Sequence, residues 1–341
     1  MSGLRTLLWR ALLDAGMLID DARFDRVRLE AAATSRRHLQ GTVYAICGQQ
    51  PATVAESVGL SPGAIARVFG HGWQQAAGFA AFADVRPNRV GAVARLGALL
   101  STCIVLFDHV FDTFAERRTV LVERLNPETL RAQSAWPQAA CGDAGIDLLA
   151  ALAAEVVAGA RRLGGRHDDG ERFAQLLGEM YRGERVSVEA RRAGGLPSPE
   201  VWDALRSKSA LPAVAVALLA LLGNPAASAP VREVVERAAA LVGEAFWIVD
   251  DLVDVQLDWD AGCWSRPLWL LFRRPEEGPV SAEDAVRRLL DSGIAAAEAQ
   301  RLAQVMSQLA ALPGASERTL LRPVQAAVRS WIEQIPAGSS A

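Results

Sequence analysis

Apolar residues recur along this chain at intervals of three and four positions, the spacing that places them on one face of an α-helix. Valine and isoleucine rarely alternate with polar residues over the length of a strand, and no G-x-G-x-x-G loop follows a strand-like run. We therefore predict an all-α protein with helices of roughly 15 to 25 residues. Breaks rich in proline, glycine or charge separate the predicted helices, at 86–88, 126–127, 162–170, 193–199, 223–225, 273–279 and 313–314.

These helices are predicted to form one domain, because no Gly/Ser-rich linker and no repeat of solenoid period divides the chain. The domain covers residues 1–341, with an N-terminal helical segment at 1–35 and the main bundle at 36–340. Charged residues interrupt the leucines of the first 20 residues, which argues against a signal peptide. The longest uncharged apolar run, 211–222, is shorter than the ~18 residues that span a bilayer. We predict no stable membrane insertion.

Composition excludes several classes of protein. The 341 residues are 51% apolar and 22% charged, which excludes a disordered chain. The net charge of −3 provides no overall field that attracts nucleic acid or an anionic membrane. Four cysteines without a C-x-x-C pair favour a reducing compartment, so we predict a cytoplasmic protein. Of the 36 basic residues, 35 are arginine and one is lysine, Lys208.

Two acidic clusters interrupt otherwise apolar helices. Asp108 and Asp112 lie four residues apart in a helix predicted over 99–114, so both carboxylates lie on one helix face. Asp250, Asp251 and Asp254 repeat this arrangement. Like charges at this spacing repel, and a divalent cation removes the penalty. Carboxylate oxygens suit Mg²⁺, which binds one or two carboxylates together with substrate phosphate.

The alternative is that these acids form solvated helix faces, since acidic pairs on helices are common. The neighbours of the acids argue against this alternative, because a solvent-facing helix surface carries few large apolar residues. Carboxylates that line a hydrophobic cavity are expected to have apolar neighbours. The neighbours here are Phe107, Val110, Phe111, Phe246, Ile248, Val249, Leu252 and Val253.

The second acidic segment resembles a motif of the trans-isoprenyl diphosphate synthases. Residues 243–254 read GEAFWIVDDLVD and are similar to the family's second aspartate-rich motif, G-x-A-F-Q-I-x-D-D-x-x-D, with Trp247 in place of glutamine. Residues 107–112, followed by Arg117 and Arg118, resemble the first motif, H-D-D-x-x-D, with His109 as the middle residue.

Two further elements lie between these motifs in family order. Residues 205–210 resemble the family's Lys-Thr or Lys-Ser element and contain Lys208. Gly183 and Glu184 take the place of its Gly-Gln pair. The resemblance covers about residues 95–270, and this combination is more specific than any single motif.

The resemblance implies the isoprenoid synthase fold, a single large helical bundle around a central apolar cavity, and a homodimer. It implies that 36–340 is a catalytic bundle that ionises an allylic diphosphate, farnesyl or geranylgeranyl, with three Mg²⁺ ions. The implied catalytic residues are Asp108, Asp112, Asp250, Lys208 and Arg117. The implied metal ligands are Asp108, Asp112, Asp250, Asp251 and Asp254. The implied substrate-binding residues are Arg117, Arg118, Lys208, Phe107, Phe111, Cys103, Ile104, Phe246 and Trp247.

The chain departs from the family where a second diphosphate, that of isopentenyl diphosphate, would bind. We find no G-G-K-x-x-R-P motif; the nearest candidates are Arg36 and Arg37, and Ser101 takes the position of the upstream histidine or glutamine. An enzyme that ionises its substrate without this acceptor would cyclise or rearrange the cation. We therefore predict a class I terpene synthase. The alternative is a prenyltransferase that uses isopentenyl diphosphate or another acceptor.

A competing motif lies near the N-terminus. Residues 55–67 have the alanine, glycine and isoleucine spacing of a helix-turn-helix, which would indicate DNA binding. The second helix offers Arg67 and almost no other cation for phosphate contacts. We therefore interpret the segment as a structural helix hairpin and predict no nucleic-acid partner. His109 remains open as a metal ligand, a general base or a helix-packing residue.

Overall fold

The computed structural model describes residues 2–132, 140–164, 167–192, 198–272, 281–315 and 320–335. The described residues form helices and contain no strand, which confirms the all-α prediction. A π-helical turn covers Gln40–Tyr44 and a 3₁₀ turn covers Ala115–Arg117. The α-helices are α1 Ser2–Asp14, α2 Asp21–His38, α3 Ala45–Cys47, α4 Pro51–Val58, α5 Pro62–Phe82, α6 Pro87–Thr113, α7 Arg118–Leu125, α8 Pro127–Ala132, α9 Ala144–Gly164, α10 His167–Arg192, α11 Pro199–Gly223, α12 Ala229–Val253, α13 Val255–Ala261, α14 Arg266–Phe272, α15 Ala282–Asp291, α16 Ile294–Ala310 and α17 Leu321–Ile332.

Several helices begin with a proline in the first turn, where its fixed φ suits the helix and its missing N–H costs nothing. In α5, Ser61 also accepts a hydrogen bond from the backbone N–H of Ala64 at 3.1 Å, and Pro62 follows directly. Ser198 and Pro199 repeat this arrangement at the start of α11. The predicted breaks at 86–88, 126–127 and 193–199 therefore contain helix starts, at Pro87, Pro127 and Pro199. The breaks at 223–225 and 313–314 contain none, since α12 begins at Ala229 and α17 at Leu321.

The structure shortens one predicted break and extends one predicted helix. The break at 162–170 is partly helical, because α9 continues to Gly164 and α10 begins at His167. The helix predicted over 99–114 starts much earlier, at Pro87, and forms the 27-residue helix α6. Residues 193–197 and 273–280, where two further breaks were predicted, lie outside the described residues.

One contiguous apolar core runs from Leu4 in α1 to Ile335 beyond α17. The predicted boundary at residue 35 falls inside α2. Among the described helices, α5 packs most extensively on α6, and α11 lies between α10 and α12. Residues of α5, α6, α10, α11, α12 and α17 line a cavity of about 420 Å³ that is partly open to solvent.

Two helices, α6 and α11, are long and apolar enough to cross a bilayer by length and composition. Both are largely occupied in internal packing, since 61% and 56% of their most apolar windows are buried in the bundle. The absence of stable membrane insertion and the cytoplasmic location stay predictions.

Candidate active site

Four charged side chains from four helices line one part of the cavity. They are Asp108 from α6, Glu184 from α10, Lys208 from α11 and Asp250 from α12. Apolar and aromatic residues form much of the remaining wall. These are Val68, Ile104, Val105, Phe107, Met180, Tyr181, Pro212, Ala213, Val216, Phe246, Ala327 and Trp331.

Two glycines bring the helices that carry these charges close together. A methyl group on Gly183 of α10 would lie 2.6 Å from the carbonyl oxygen of Ala204 in α11. A methyl group on Gly243 of α12 would lie 2.6 Å from the carbonyl oxygen of Ala210, also in α11. Any larger residue would push the backbones apart. The two glycines therefore bring Glu184 and Asp250 near Lys208.

Pro212 interrupts the hydrogen-bond pattern of α11 beside the cavity. A proline inside a helix has no N–H for the carbonyl four residues earlier, and its ring crowds that carbonyl. The carbonyl concerned belongs to Lys208. The helix is thus perturbed at the residue whose ammonium lies among the carboxylates.

Lys208 and Glu184 form a largely buried ion pair, with 3.4 Å between Nζ and Oε2. Burial opposes the charge on Lys208, but Glu184, Asp108 and Asp258 together hold its pKa well above the usual value. Burial raises the pKa of Glu184 well above its usual value, against the influence of Lys208. The cavity therefore contains a permanent ammonium beside carboxyl groups that resist ionisation.

The aspartates repel one another in this poorly hydrated environment. Reduced hydration and the neighbouring Asp108 raise the pKa of Asp112 to about 6. The same two influences raise the pKa of Asp254 to about 6. Burial and Asp254 raise the pKa of Asp250 well above its ordinary value. Carboxylates from α6 and α12, far apart in the sequence, thus share one electrostatic environment.

This donor set fits Mg²⁺, although no three acidic, histidine or cysteine side chains in the described part of the chain form a ready cation cage. Mg²⁺ needs no such cage, since it commonly binds one or two carboxylates, several waters and substrate phosphates. Asp108 and Asp250 would hold it at the cavity, with Asp112 and Asp254 nearby. Beside Lys208 the acidic cluster holds an excess of hard oxygen donors, and a divalent cation would compensate their charge.

Six of the sequence-predicted site residues line the cavity: Phe107, Ile104, Asp108, Lys208, Phe246 and Asp250. Asp251 does not line it. Its carboxylate accepts a hydrogen bond of 2.8 Å from the backbone N–H of Arg266, at the start of α14. The structure therefore gives Asp251 an anchoring contact between α12 and α14, and we leave it out of the proposed metal-binding set.

The arginine pair after the first motif has contacts that differ from the predicted diphosphate contacts. The guanidinium of Arg117 lies 2.8 Å from the carboxylate of Asp143 and donates to the carbonyl of Ser57 at 2.6 Å. These two contacts hold Arg117 away from the cavity. Arg118 donates to the carbonyl of Phe111 at 2.6 Å, while its buried Nη1 has no hydrogen-bond partner among the described residues. Arg118 therefore keeps a donor without a partner inside the described structure.

Three predicted wall residues lie outside the cavity lining. Trp247 packs against Trp202, with ring centroids 5.5 Å apart, and the guanidinium of Arg301 lies 5.4 Å from its ring. The thiol of Cys103 lies 3.1 Å from the hydroxyl of Tyr181, behind the wall. Phe111 stacks on Phe107 at 5.4 Å and is buried. Helix rotation in the packed bundle, which sequence spacing does not report, turns these side chains away.

His109 faces α4 rather than the cavity. Its Nε2 is buried without a hydrogen-bond partner in the described structure. Gly59, which directly follows α4, is close to this atom, since a methyl group added to Gly59 would lie 3.5 Å from Nε2. This position favours a helix-packing role for His109 over the roles of metal ligand or general base.

Sequence reasoning missed a polar stripe on α5. Arg67, His71 and Gln75 all line the cavity. Their spacing of four residues places them on one face of a largely apolar helix, and this pattern could have indicated a polar stripe from the sequence. The segment 55–67, which resembled a helix-turn-helix, covers the last residues of α4 and the first residues of α5, and α5 packs against α2, α6 and α11. Trp331 and Gln334, near the C-terminus, were also missed and complete the lining.

The fold is similar to that of a solved enzyme structure. The chain matches a geranylgeranyl pyrophosphate synthase from Corynebacterium glutamicum with a TM-score of 0.51 and 16% sequence identity, over 96% of this chain and 99% of that chain. No family model matches the sequence, and no curated protein matches it. The chain therefore has an all-α fold like that of the trans-isoprenyl diphosphate synthases.

Proposed function

We propose that the protein ionises an allylic isoprenoid diphosphate and cyclises or rearranges the resulting cation, as a class I terpene synthase does. One observation carries the proposal: Asp108, Asp250 and Lys208 meet at a cavity whose other walls are largely apolar and aromatic. A diphosphate would bind at the charged end, and its hydrocarbon chain would occupy the rest.

Each part of the cavity has a task in this reaction. Lys208 donates hydrogen bonds to the diphosphate and stabilises the negative charge that develops as the C–O bond breaks. Mg²⁺ held by Asp108, Asp250 and their neighbours supplies further charge neutralisation when bound. The apolar residues limit the access of bulk water, and Phe107 and Phe246 present π-faces to the cation.

The acceptor side supports cyclisation. Arg36 and Arg37, the nearest sequence candidates for binding isopentenyl diphosphate, are exposed on α2 and do not line the cavity. Ser101 lines it where the resembling family has histidine or glutamine. A serine hydroxyl is shorter than either side chain and offers a single O–H donor, so it is less suited to hold a second diphosphate.

A prenyltransferase is the second candidate function. Arg67 lines the cavity and could bind the diphosphate of an acceptor. The matched structure is named a geranylgeranyl pyrophosphate synthase, which also supports this candidate. We propose, in line with the family resemblance, that either enzyme would be a homodimer.

The test is incubation with Mg²⁺ and geranyl, farnesyl or geranylgeranyl diphosphate, each with and without isopentenyl diphosphate. A hydrocarbon or alcohol formed without isopentenyl diphosphate supports the terpene synthase. Longer diphosphates formed only with it support the prenyltransferase. Asp108→Ala and Asp250→Ala should each abolish pyrophosphate release and leave the helical circular dichroism intact. Unchanged turnover in either variant would disprove the assigned roles.

A further inference from the structure

The cavity has a second polar region besides the acidic cluster. His71 and Gln75 lie one turn apart on α5, and both face the cavity. Ser101 of α6 and Gln334 near the end of α17 line it as well. We call His71, Gln75 and Ser101 together the hydroxyl subsite. It contains no carboxylate.

The hydroxyl subsite is displaced from the acidic cluster along the cavity. Ser101 precedes Asp108 by seven residues of continuous helix, which corresponds to roughly 10 Å along the axis of α6. Gly72 places α5 at the same level, because a methyl group there would lie 2.5 Å from Cβ of Ser101. His71, the neighbour of Gly72, is therefore near Ser101 and distant from the position of the diphosphate.

These side chains retain unused hydrogen-bonding capacity. Within the described ranges, neither His71, Gln75 nor Ser101 makes a side-chain hydrogen bond, although all three line the cavity. A polar group in a largely apolar cavity is stabilised by acquiring a partner. Water provides both a donor and an acceptor, and a site with two to four polar partners suits it.

His71 is in the protonation state that binds and activates water. Burial lowers its pKa, and the nearby cations Arg28 and Arg67 lower it further. The imidazole is therefore neutral at pH 7, with one N–H donor and one nitrogen that accepts a proton.

We propose that the hydroxyl subsite holds a water molecule that captures the cyclised cation, so that the product is a terpene alcohol. This inference rests on the proposed terpene synthase function. The C–O bond to diphosphate breaks and its electron pair leaves with pyrophosphate. Ring closure bonds C1 to a distant double bond and moves the cationic carbon along the cavity. The water oxygen then bonds to that carbon, and its proton passes to His71 and on to solvent.

The experiment is turnover of farnesyl and geranylgeranyl diphosphate with Mg²⁺ in H₂¹⁸O, with products analysed by mass spectrometry and pyrophosphate measured separately. We expect a cyclic alcohol carrying ¹⁸O. His71→Phe should lower the ratio of alcohol to hydrocarbon about 100-fold, the lower end of what a positioned general base contributes. Gln75→Leu should lower the same ratio in the same direction and keeps the test valid if His71→Phe fails to fold.

Gln74→Leu is the matched control. Gln74 adjoins Gln75 but donates to the carbonyl of Val27 at 2.9 Å and does not line the cavity. This variant should leave the ratio of alcohol to hydrocarbon unchanged.

The outcomes separate this inference from the proposed function. Pyrophosphate release with only hydrocarbon products, or with alcohol that lacks ¹⁸O, would overturn the hydroxyl subsite and leave the terpene synthase proposal in place. Absence of pyrophosphate release from the wild-type protein would overturn both. An alcohol ratio that falls equally in the Gln74→Leu and Gln75→Leu variants would also contradict the subsite.

Discussion

Lys208 is the single lysine of this chain, and its ammonium lies among carboxylates from several helices. Arginine occupies the other 35 basic positions. An ammonium is a compact point charge with three rotatable donors, whereas a guanidinium is a planar fork. In a crowded cluster with Glu184, Asp108 and Asp250, the compact group neutralises charge without requiring planar geometry.

Replacing Lys208 with methionine should lower the free energy of unfolding by about 3 kcal/mol at pH 7, because buried carboxylates lose their compensating cation. The loss should diminish at pH 5, where more of the carboxyl groups are protonated. Urea unfolding at both pH values measures this effect. Lys208→Arg keeps the charge and is the control; equal stability of the two variants would show that charge compensation is not the role of Lys208.

Asp251 provides a prediction about pH. Burial raises its pKa from an ordinary value of 3.8 to about 6, although the N–H of Arg266 favours the charged form. Between pH 4 and 6 the folded protein keeps a proton that the unfolded chain releases, so the stability contributed by this group falls as the pH rises. The total change is at most about 3 kcal/mol.

Asp251→Asn removes this titration while keeping an oxygen acceptor for Arg266. Its free energy of unfolding should therefore decline less between pH 4 and 7 than that of the wild type. The comparison uses urea unfolding in EDTA, so that metal binding does not contribute. Identical slopes in the two proteins would contradict the raised pKa.

At the level of helices, close approach of backbones determines the site more than side-chain chemistry does. Gly183 and Gly243 allow α10 and α12 to approach α11 closely. This close approach places Glu184 and Asp250 near Lys208. The long helices could be predicted from periodicity and proline positions, whereas short helices such as α7, α8, α13 and α14 fall below the predicted length of roughly 15 to 25 residues. The rotation of the helices could not be predicted, because a 3.6-residue repeat shows which face is apolar but not which neighbour it contacts.

Gly183→Ala should destabilise the protein by about 1 to 3 kcal/mol, the typical cost of overpacking, since the new methyl group would meet Ala204 and Lys208. It should also weaken the proposed diphosphate binding by shifting Glu184 relative to Lys208. Thermal melting and pyrophosphate binding measure the two effects.

Gly91→Ala is the control at a helical glycine in α6 with open space around it. Because alanine is the better helix former, this variant should gain about 0.5 to 1 kcal/mol. Stabilisation by both substitutions would show that close helix contact at Gly183 is unimportant.

At the level of the whole molecule, the carboxylate cluster makes the metal-free protein less stable than its core alone would make it. Mg²⁺ and pyrophosphate together should stabilise the fold by about 2.7 kcal/mol at 100-fold excess over Kd, because ligands that bind only the folded state shift the unfolding equilibrium. Differential scanning calorimetry measures the shift in Tm. The Asp108→Ala/Asp250→Ala double variant should show none; an equal shift would place pyrophosphate elsewhere.

The sequence by itself determined the all-α class, the proline-marked starts of α6, α8 and α11, and the two acidic clusters, because periodicity, proline and i, i+4 spacing act within single elements. Only the tertiary structure decided that Asp108, Asp250 and Lys208 share a cavity and that His71 and Gln75 line it. It also turned Arg117 towards Asp143 and Trp247 towards Trp202. The physical reason is that contacts between helices depend on how backbones pack in three dimensions, which spacing along one chain does not specify.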